Sequence, residues 1–238
     1  MKGKKIVFKV NKRTLVGKIL GKKTDRLSNF IFFHGAGKST KEKAKKIFSK
    51  TFFIAVSNIV TFDFSGHGES AGKLKESSLQ KRILEAKKAI EIYTTGKNLT
   101  ICGSSMGGYV ALKMLEFYDV KNIILFAPAI YDKQAINVQF NKGFTKIIRK
   151  RESWRNSDVI PLLKKFTGNL IIFIGENDEI ITAEVIDLIN KYSVKVKKKE
   201  IIKFKNCPHA IHNWLDKHPI KKEFVNKKII EYYFKGLV

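Results

Sequence analysis

The chain has few cysteines and few acidic residues, and it lacks a long apolar run. Its 238 residues include only Cys102 and Cys207, whose spacing fits neither a metal-binding motif nor a disulfide framework. No apolar run approaches the roughly 18 residues that a membrane-spanning helix needs. The basic N-terminus continues into too short an apolar run for a signal peptide. We therefore expect a cytoplasmic protein with no transmembrane segment.

The scarcity of acidic residues leaves a net charge of +26, which raises the question of a nucleic-acid partner. However, only six of the 47 basic residues are arginines, the residue that recognition of phosphates and bases favours. The lysines are spread over every segment. We expect no specific nucleic-acid partner, although a positive field of this size would attract anionic substrates.

Short, continuous apolar runs alternate with helical patterns along most of the chain. Such runs are typical of strands buried on both faces, and they lie at residues 30–33, 59–62, 99–102, 123–126, 170–174 and 201–202. Helical periodicity covers residues 41–50, 79–93, 106–117, 183–191 and 221–234. Residues 6–10 and 14–20 read as an antiparallel hairpin. The pattern predicts one α/β domain over residues 1–238, with a mostly parallel, twisted sheet and helices on both faces.

One interval breaks this alternation. Residues 129–166 contain no strand pattern, mix aromatic with basic residues, and are too many for an ordinary connection. We interpret this segment as a small helical cap over the functional site.

The most specific motif is Gly103-Ser104-Ser105-Met106-Gly107, a G-x-S-x-G sequence between an apolar strand and an apolar helix. A sharp strand-to-helix turn of this kind holds a nucleophilic serine in a strained conformation and exposes its hydroxyl. Gly68-Glu69-Ser70-Ala71-Gly72 matches the same pattern, but neither a strand nor an apolar helix flanks it. Ser105 is therefore the candidate nucleophile.

A serine nucleophile needs a base and an acid that orients the base. In proteins with this strand-to-helix turn, the acid follows the serine along the chain, and the histidine follows the acid. Asp178 follows the strand at 170–174, and His209 follows the strand near 201–202. We predict Asp178 as the acid, with Asp132 as the alternative. We predict His209 as the base, with His212 as the alternative.

The reaction also needs two N–H donors for the developing oxyanion. The backbone N–H of Met106, the residue after the nucleophile, is one candidate. The second is the N–H of Ala36, in the glycine-rich turn His34-Gly35-Ala36-Gly37 that follows the first parallel strand. These groups complete an acyl-transfer site that needs no metal or organic cofactor.

Taken together, these motifs resemble the α/β-hydrolase superfamily across about residues 28–236. The resemblance also covers Asp63-Phe64-Ser65-Gly66-His67-Gly68-Glu69-Ser70, which corresponds to a structural loop of that family and explains the second serine motif. The chain looks most like small serine hydrolases, namely esterases, acyl thioesterases and monoacylglycerol-lipase-like enzymes. Two departures are the short cap and Asn206-Cys207-Pro208 before His209, where relatives often have a glycine-rich approach.

The sequence therefore predicts a serine hydrolase that cleaves an acyl ester or thioester of a small molecule. The same catalytic groups can also cleave peptide bonds. The apolar and basic cap would suit an acyl chain on an anionic carrier such as coenzyme A. Two alternatives remain. One is a non-catalytic binding protein on this scaffold. The other is a P-loop nucleotide hydrolase, because Gly37-Lys38-Ser39-Thr40 follows a strand, although Phe32 stands where that motif needs glycine.

Overall fold

A computed structural model describes residues 3–235 of the chain. The N-terminal hairpin consists of β1 (Gly3–Val10) and β2 (Arg13–Gly21), which pair antiparallel along the whole of β1. Asn11 makes the turn in the left-handed region, with φ 53°, a conformation that asparagine tolerates better than most residues. The predicted hairpin is confirmed.

Six further strands continue the sheet, and they are parallel to one another. Their bounds are β3 (Phe30–Phe33), β4 (Asn58–Phe62), β5 (Leu99–Ser104), β6 (Val120–Phe126), β7 (Asn169–Asn177) and β8 (Lys198–Pro208). The eight strands lie in the order β1-β2-β4-β3-β5-β6-β7-β8, with β2 antiparallel to β4. The predicted mostly parallel sheet is confirmed.

Nine α-helices surround this sheet in the described part of the chain. They are α1 (Lys43–Ile47), α2 (Lys50–Ala55), α3 (Leu79–Tyr93), α4 (Met106–Lys113), α5 (Thr145–Ile148), α6 (Ile160–Lys165), α7 (Ala183–Tyr192), α8 (Ile211–Lys217) and α9 (Pro219–Lys235). The predicted helix at 41–50 is in fact two short helices, and the one at 106–117 ends as α4 followed by a 3₁₀ turn at Met114–Glu116.

The sheet separates two hydrophobic cores because successive strand residues point to opposite faces. In β3, Ile31 and Phe33 join the core built with α3, α4, α6 and α7. Phe30 and Phe32 join the core built with α1, α2, α8 and α9. All four residues of β3 are fully buried, which accounts for the continuous apolar run in its sequence.

The predicted cap corresponds to the connection from β6 to β7. It contains α5, α6, a 3₁₀ turn at Lys133–Ala135 and an irregular turn at Phe140–Phe144. Phe144 packs against both Tyr131 and Phe140, with ring centroids 5.6 and 4.8 Å away. These aromatic contacts hold the segment near the carboxyl ends of β5 and β6. Within residues 3–235, no helix is both long enough and apolar enough to cross a bilayer.

Candidate active site

Ser105 lies at the sharp turn between β5 and α4, with φ 53° and ψ −120°. A non-glycine residue rarely adopts a positive φ, so this conformation stores backbone strain at the apex. The flanking glycines allow the turn: a Cβ atom at Gly103 would overlap the carbonyl oxygen of Gly107, and one at Gly107 would overlap that of Phe33. The strand and the helix therefore approach as closely as the motif predicts.

The structure brings Ser105, Asp178 and His209 together. His209 Nε2 lies 3.1 Å from Ser105 Oγ. On the other side of the ring, His209 Nδ1 lies 2.8 Å from Oδ2 and 3.0 Å from Oδ1 of Asp178. An ionised carboxylate only accepts hydrogen bonds, so Nδ1 carries the proton of the neutral ring. Nε2 is then an acceptor that faces the serine hydroxyl, which is the arrangement a general base requires.

The Asp178 carboxylate is held ionised by its surroundings. Its side chain is only 5% exposed, and this burial acts to raise its pKa. Hydrogen bonds from His209 and from the N–H groups of Ile181 and Ile180 outweigh the burial and lower the pKa below its ordinary value. Neighbouring Glu176 and Glu179 are exposed to solvent. Of these three carboxylates, only Asp178 contacts the imidazole of His209.

The two candidate oxyanion donors flank Ser105. Met106 begins α4, where first-turn N–H groups have no partner within the helix. The N–H of Ala36 makes no hydrogen bond to any residue in the described range, and Ala36 lines the same cavity as Ser105. A Cβ at Gly35 would come within 3.1 Å of Ser105 Cβ. The turn that carries Ala36 therefore packs directly against Ser105.

Buried polar side chains hold this turn in place through hydrogen bonds to backbone carbonyl groups. Gly35 O accepts hydrogen bonds from His34 Nδ1 at 2.8 Å and from Arg82 Nη1 at 3.3 Å. Arg82 also donates to His67 Nε2, while His67 Nδ1 donates to Ser39 O. Sequence reasoning missed Arg82, although one signal was present: this cation stands among the apolar positions of the helix pattern at 79–93.

A cavity of about 500 Å³ opens at Ser105 and His209. Its apolar wall includes four side chains from the inserted segment, namely Tyr131, Phe140, Phe144 and Ile148. Leu74, Met106 and Ile180 also line the cavity. The polar wall instead contains Lys43 of α1 and His212 of α8. The basic residues of the cap, Arg149, Lys150 and Arg151, are exposed and do not line this cavity. A second cavity of about 530 Å³, beside Phe48 and Phe53, contains no histidine or carboxylate.

The alternative site residues have other contacts. Ser70 Oγ donates to Asp63 O at 2.5 Å and accepts from Val16 N–H at 2.9 Å, so it ties a loop to β2. Asp132 Oδ1 accepts from the N–H of Gln134 and from Asn156 Nδ2, and it contacts no histidine of the described chain.

His212 makes no hydrogen bond to Ser105 in the range 3–235. Its Nε2 is buried and has no hydrogen-bonding partner there.

A P-loop hydrolase would also need a metal-binding aspartate after an apolar strand, and Asp63, the residue in that position, is engaged elsewhere. The carboxylate of Asp63 accepts hydrogen bonds from the N–H of Lys41 at 2.7 Å and from its Nζ at 2.6 Å. Phe32 is fully buried in β3. Among residues 3–235, no three histidine, cysteine, aspartate or glutamate side chains cluster as metal ligands. Cys102 and Cys207 are buried, free thiols.

Comparison with solved structures agrees with the fold described above. Est1E from Butyrivibrio proteoclasticus, solved with bound ferulic acid, superposes with a TM-score of 0.72 at 19% identity, covering 95% of this chain and 98% of that one. The monoacylglycerol lipase of Paleococcus ferrophilus gives a TM-score of 0.69 at 16% identity, covering 93% and 99%. At these identities the likeness establishes the fold.

Sequence comparison covers a smaller part of the chain. Alpha/beta hydrolase domain-containing protein 17C of Xenopus tropicalis is 28% identical over 126 residues, which are 52% of this chain and only 38% of that relative. The family model described as serine aminopeptidase, S33, matches residues 26–157, more than half of the chain. The chain therefore belongs to this family of α/β hydrolases.

Proposed function

We propose that this protein is a serine hydrolase that cleaves acyl esters or thioesters of small molecules through an acyl-enzyme. The observation that carries the proposal is the position of the His209 ring, with Nε2 3.1 Å from Ser105 Oγ and Nδ1 2.8 Å from Asp178 Oδ2. These contacts match the base and orienter geometry that activates a serine hydroxyl.

In the acylation half, Ser105 Oγ attacks the carbonyl carbon while His209 Nε2 accepts the hydroxyl proton. Asp178 stabilises the resulting imidazolium and keeps the ring oriented. The negative charge that develops on the carbonyl oxygen is stabilised by the N–H groups of Ala36 and Met106. The bond to the leaving alkoxide or thiolate then breaks, and the leaving group takes the proton from His209.

In the second half, water replaces the leaving group. His209 accepts a proton from the water as its oxygen attacks the acyl carbon on Ser105. The tetrahedral intermediate expels Ser105 Oγ, which recovers that proton from His209. The products are a carboxylic acid and the free enzyme. The cycle uses only protein side chains, backbone N–H groups and water, and it consumes no cofactor.

The lining of the cavity supports the proposal that the substrate is an acyl compound. Tyr131, Phe140, Phe144 and Ile148 give it an apolar wall next to the nucleophile, and apolar walls with a few polar groups are typical of small-molecule sites. Since both cysteines are unpaired, we also infer a reducing, cytoplasmic location.

The family description favours a second candidate activity, aminopeptidase cleavage. Amide bonds are attacked by the same apparatus, so the two activities differ in leaving group and not in the nucleophile. The alternative that is not an enzyme is a protein that binds a ligand on this scaffold without catalysing a reaction.

The test is a substrate panel run beside Ser105→Ala. It contains p-nitrophenyl esters of two to sixteen carbons, matching acyl thioesters, and aminoacyl p-nitroanilides. We expect turnover of esters and thioesters that Ser105→Ala abolishes. Faster turnover of the anilides than of any ester would assign a peptidase instead. No Ser105-dependent turnover of any substrate would leave the binding protein as the better account.

A further inference from the structure

The polar wall of the active-site cavity carries a cation without a counter-ion. Lys43 is half-buried and lines the cavity with Ser105 and His209. Its Nζ makes no hydrogen bond or ion pair with any residue in the range 3–235, whereas neighbouring Lys41 is paired with Asp63 and Glu69. Burial, together with the charge of Lys46, lowers the pKa of Lys43 to about 8. The described part of the protein supplies no anion for this side chain.

A second unsatisfied group lies on the same wall. His212 is 5% exposed, and its Nε2 has no hydrogen-bonding partner in the described chain. Burial, followed by the charges of Lys43 and Lys46, lowers the pKa of His212 to about 3, so the ring is neutral and can present an N–H. Buried polar atoms are nearly always paired in native proteins. Lys43 and His212 therefore line one cavity, and neither side chain has a hydrogen-bonding partner among residues 3–235.

The polar wall that carries Lys43 and His212 continues outward from the cavity as a groove. A depression of about 320 Å³ shares Ala36, Ser39 and Lys43 with the active-site cavity and adds Lys38 and Lys46. Among the described residues, Lys46 Nζ donates a hydrogen bond only to the neutral amide oxygen of Asn213, at 2.9 Å.

Glu42 also lines the groove, but Lys18 and Lys45 already bind its carboxylate. The groove therefore has an excess of positive charge.

The two walls belong to opposite faces of the sheet. Tyr131 and Phe144 of the apolar wall pack into the core with α3 and α4. The helices that carry Lys43 and His212 contribute instead to the core with α9. Ser105 stands between the faces at the end of β5, so a substrate whose acyl chain lies on the aromatic wall directs its leaving group toward the basic one.

We propose that the basic wall, defined as Lys38, Lys43, Lys46 and His212, binds a carboxylate or phosphate on the leaving group of the substrate. This inference rests on the proposed function and narrows its substrate class to acyl compounds with an anionic leaving group. The shared chemistry is a set of anionic oxygens that accept hydrogen bonds from an ammonium and an imidazole N–H.

Two matched substrate pairs test it and separate the two anions. Butyryl-phosphopantetheine and butyryl-pantetheine share a thioester and differ in one phosphate. The 3-carboxy-4-nitrophenyl and 4-nitrophenyl esters of butyrate differ in one carboxylate. The measured quantity is the ratio of kcat/KM for the anionic and the neutral member, within each enzyme variant. Because it is a ratio, partial loss of folded protein cancels.

We expect the wild-type enzyme to prefer the anionic member of at least one pair by tenfold or more. Lys43→Met should lower that ratio about tenfold, as expected for loss of one charge-assisted hydrogen bond. The control is Lys195→Met, an exposed lysine just before β8, at the amino ends of the parallel strands and away from the site at their carboxyl ends. This control should leave the ratio unchanged.

The outcomes are separable. A preference in the phosphate pair alone or in the carboxylate pair alone supports the proposal and identifies the anion. Turnover without preference in either pair, or an equal loss of the ratio in Lys43→Met and Lys195→Met, overturns the basic wall but not the hydrolase. No turnover of all four substrates, with Ser105 unreactive toward a fluorophosphonate, overturns both.

Discussion

Arg82 donates a hydrogen bond to the carbonyl oxygen of Gly35, with Nη1 3.3 Å from the oxygen. This peptide unit also contains the N–H of Ala36, the proposed oxyanion donor. A cation at the carbonyl end of a peptide polarises its N–H end and fixes its plane. Arg82 is fully buried and is further held by His67 and by the ring faces of Phe64 and Phe140. We therefore assign Arg82 as a positioning residue.

Replacing Arg82 should slow the chemistry without weakening substrate binding. Removal of a direct oxyanion donor costs about 10²- to 10³-fold in kcat, so the indirect loss in Arg82→Met should be about tenfold, with KM nearly unchanged. Arg82→Lys keeps the charge and should recover part of kcat. The measurement is kcat per active site, titrated with a fluorophosphonate. A lower melting temperature with unchanged kcat per site would make Arg82 merely structural.

The three proposed triad residues should act as one unit. Ser105→Ala and His209→Ala should each lower kcat by about 10⁴-fold or more, and Asp178→Asn by about 10³- to 10⁴-fold. The double variant Ser105→Ala/His209→Ala should be no slower than the worse single variant. The matched control is Asp132→Asn, and a greater loss there than in Asp178→Asn would make Asp132 the acid.

Ser70 provides a test of the second serine motif. Ser70→Ala leaves the N–H of Val16 and the carbonyl of Asp63 without this partner, and an orphaned buried group costs about 1–3 kcal/mol. We expect a lower urea midpoint and an unchanged kcat per labelled site. Loss of activity at full stability would instead place Ser70 in the reaction.

The pH dependence of stability should follow the buried histidines. Burial, then the charge of Arg82, lowers the pKa of His67 to about 4, and burial, then the charge of Lys43, lowers that of His212 to about 3, against 6.5 for a free side chain. Burial, then the charges of His67 and Arg82, also lowers the pKa of His34 well below 6.5. Between these values the unfolded chain binds more protons, so stability falls as pH falls. The lowered pKa of Asp178 acts only below its ordinary 3.8.

Urea unfolding from pH 7.5 to 5 measures this effect. Each of these histidines should remove about 1 kcal/mol of unfolding free energy per pH unit below its unfolded pKa. His212→Asn should make the unfolding free energy depend less steeply on pH, by the contribution of one histidine. A midpoint that does not change over this range would contradict the burial of neutral rings.

The elements that follow from local patterns were predictable. β3 and β5 are buried on both faces, and their sequences are continuous apolar runs. Helix α3 has the bounds that its periodicity predicts, and Ser78 caps it by accepting the N–H of Lys81. The positions of Asp178 and His209 followed from one topological rule, that parallel strands present their carboxyl ends at one edge of the sheet.

The features that depend on contacts between distant residues could not be predicted from the sequence. The chain between α1 and α2 bends because Ser49 caps α2 while its own N–H donates to Asn226, far along the chain in α9. Helix α8 is too short for its period to stand out. The cap was expected to be apolar and basic and to suit an acyl chain on an anionic carrier, but its Arg149, Lys150 and Arg151 are exposed, and the lysine that lines the cavity is Lys43.

The most direct test of the account is the identity of the residue that a fluorophosphonate modifies in the native chain. Intact mass followed by peptide mapping should give one adduct, on Ser105, absent from Ser105→Ala and formed at least 100-fold more slowly in His209→Ala. A folded protein that remains unlabelled, or that carries the adduct on Ser70, would contradict the claim that His209 activates Ser105.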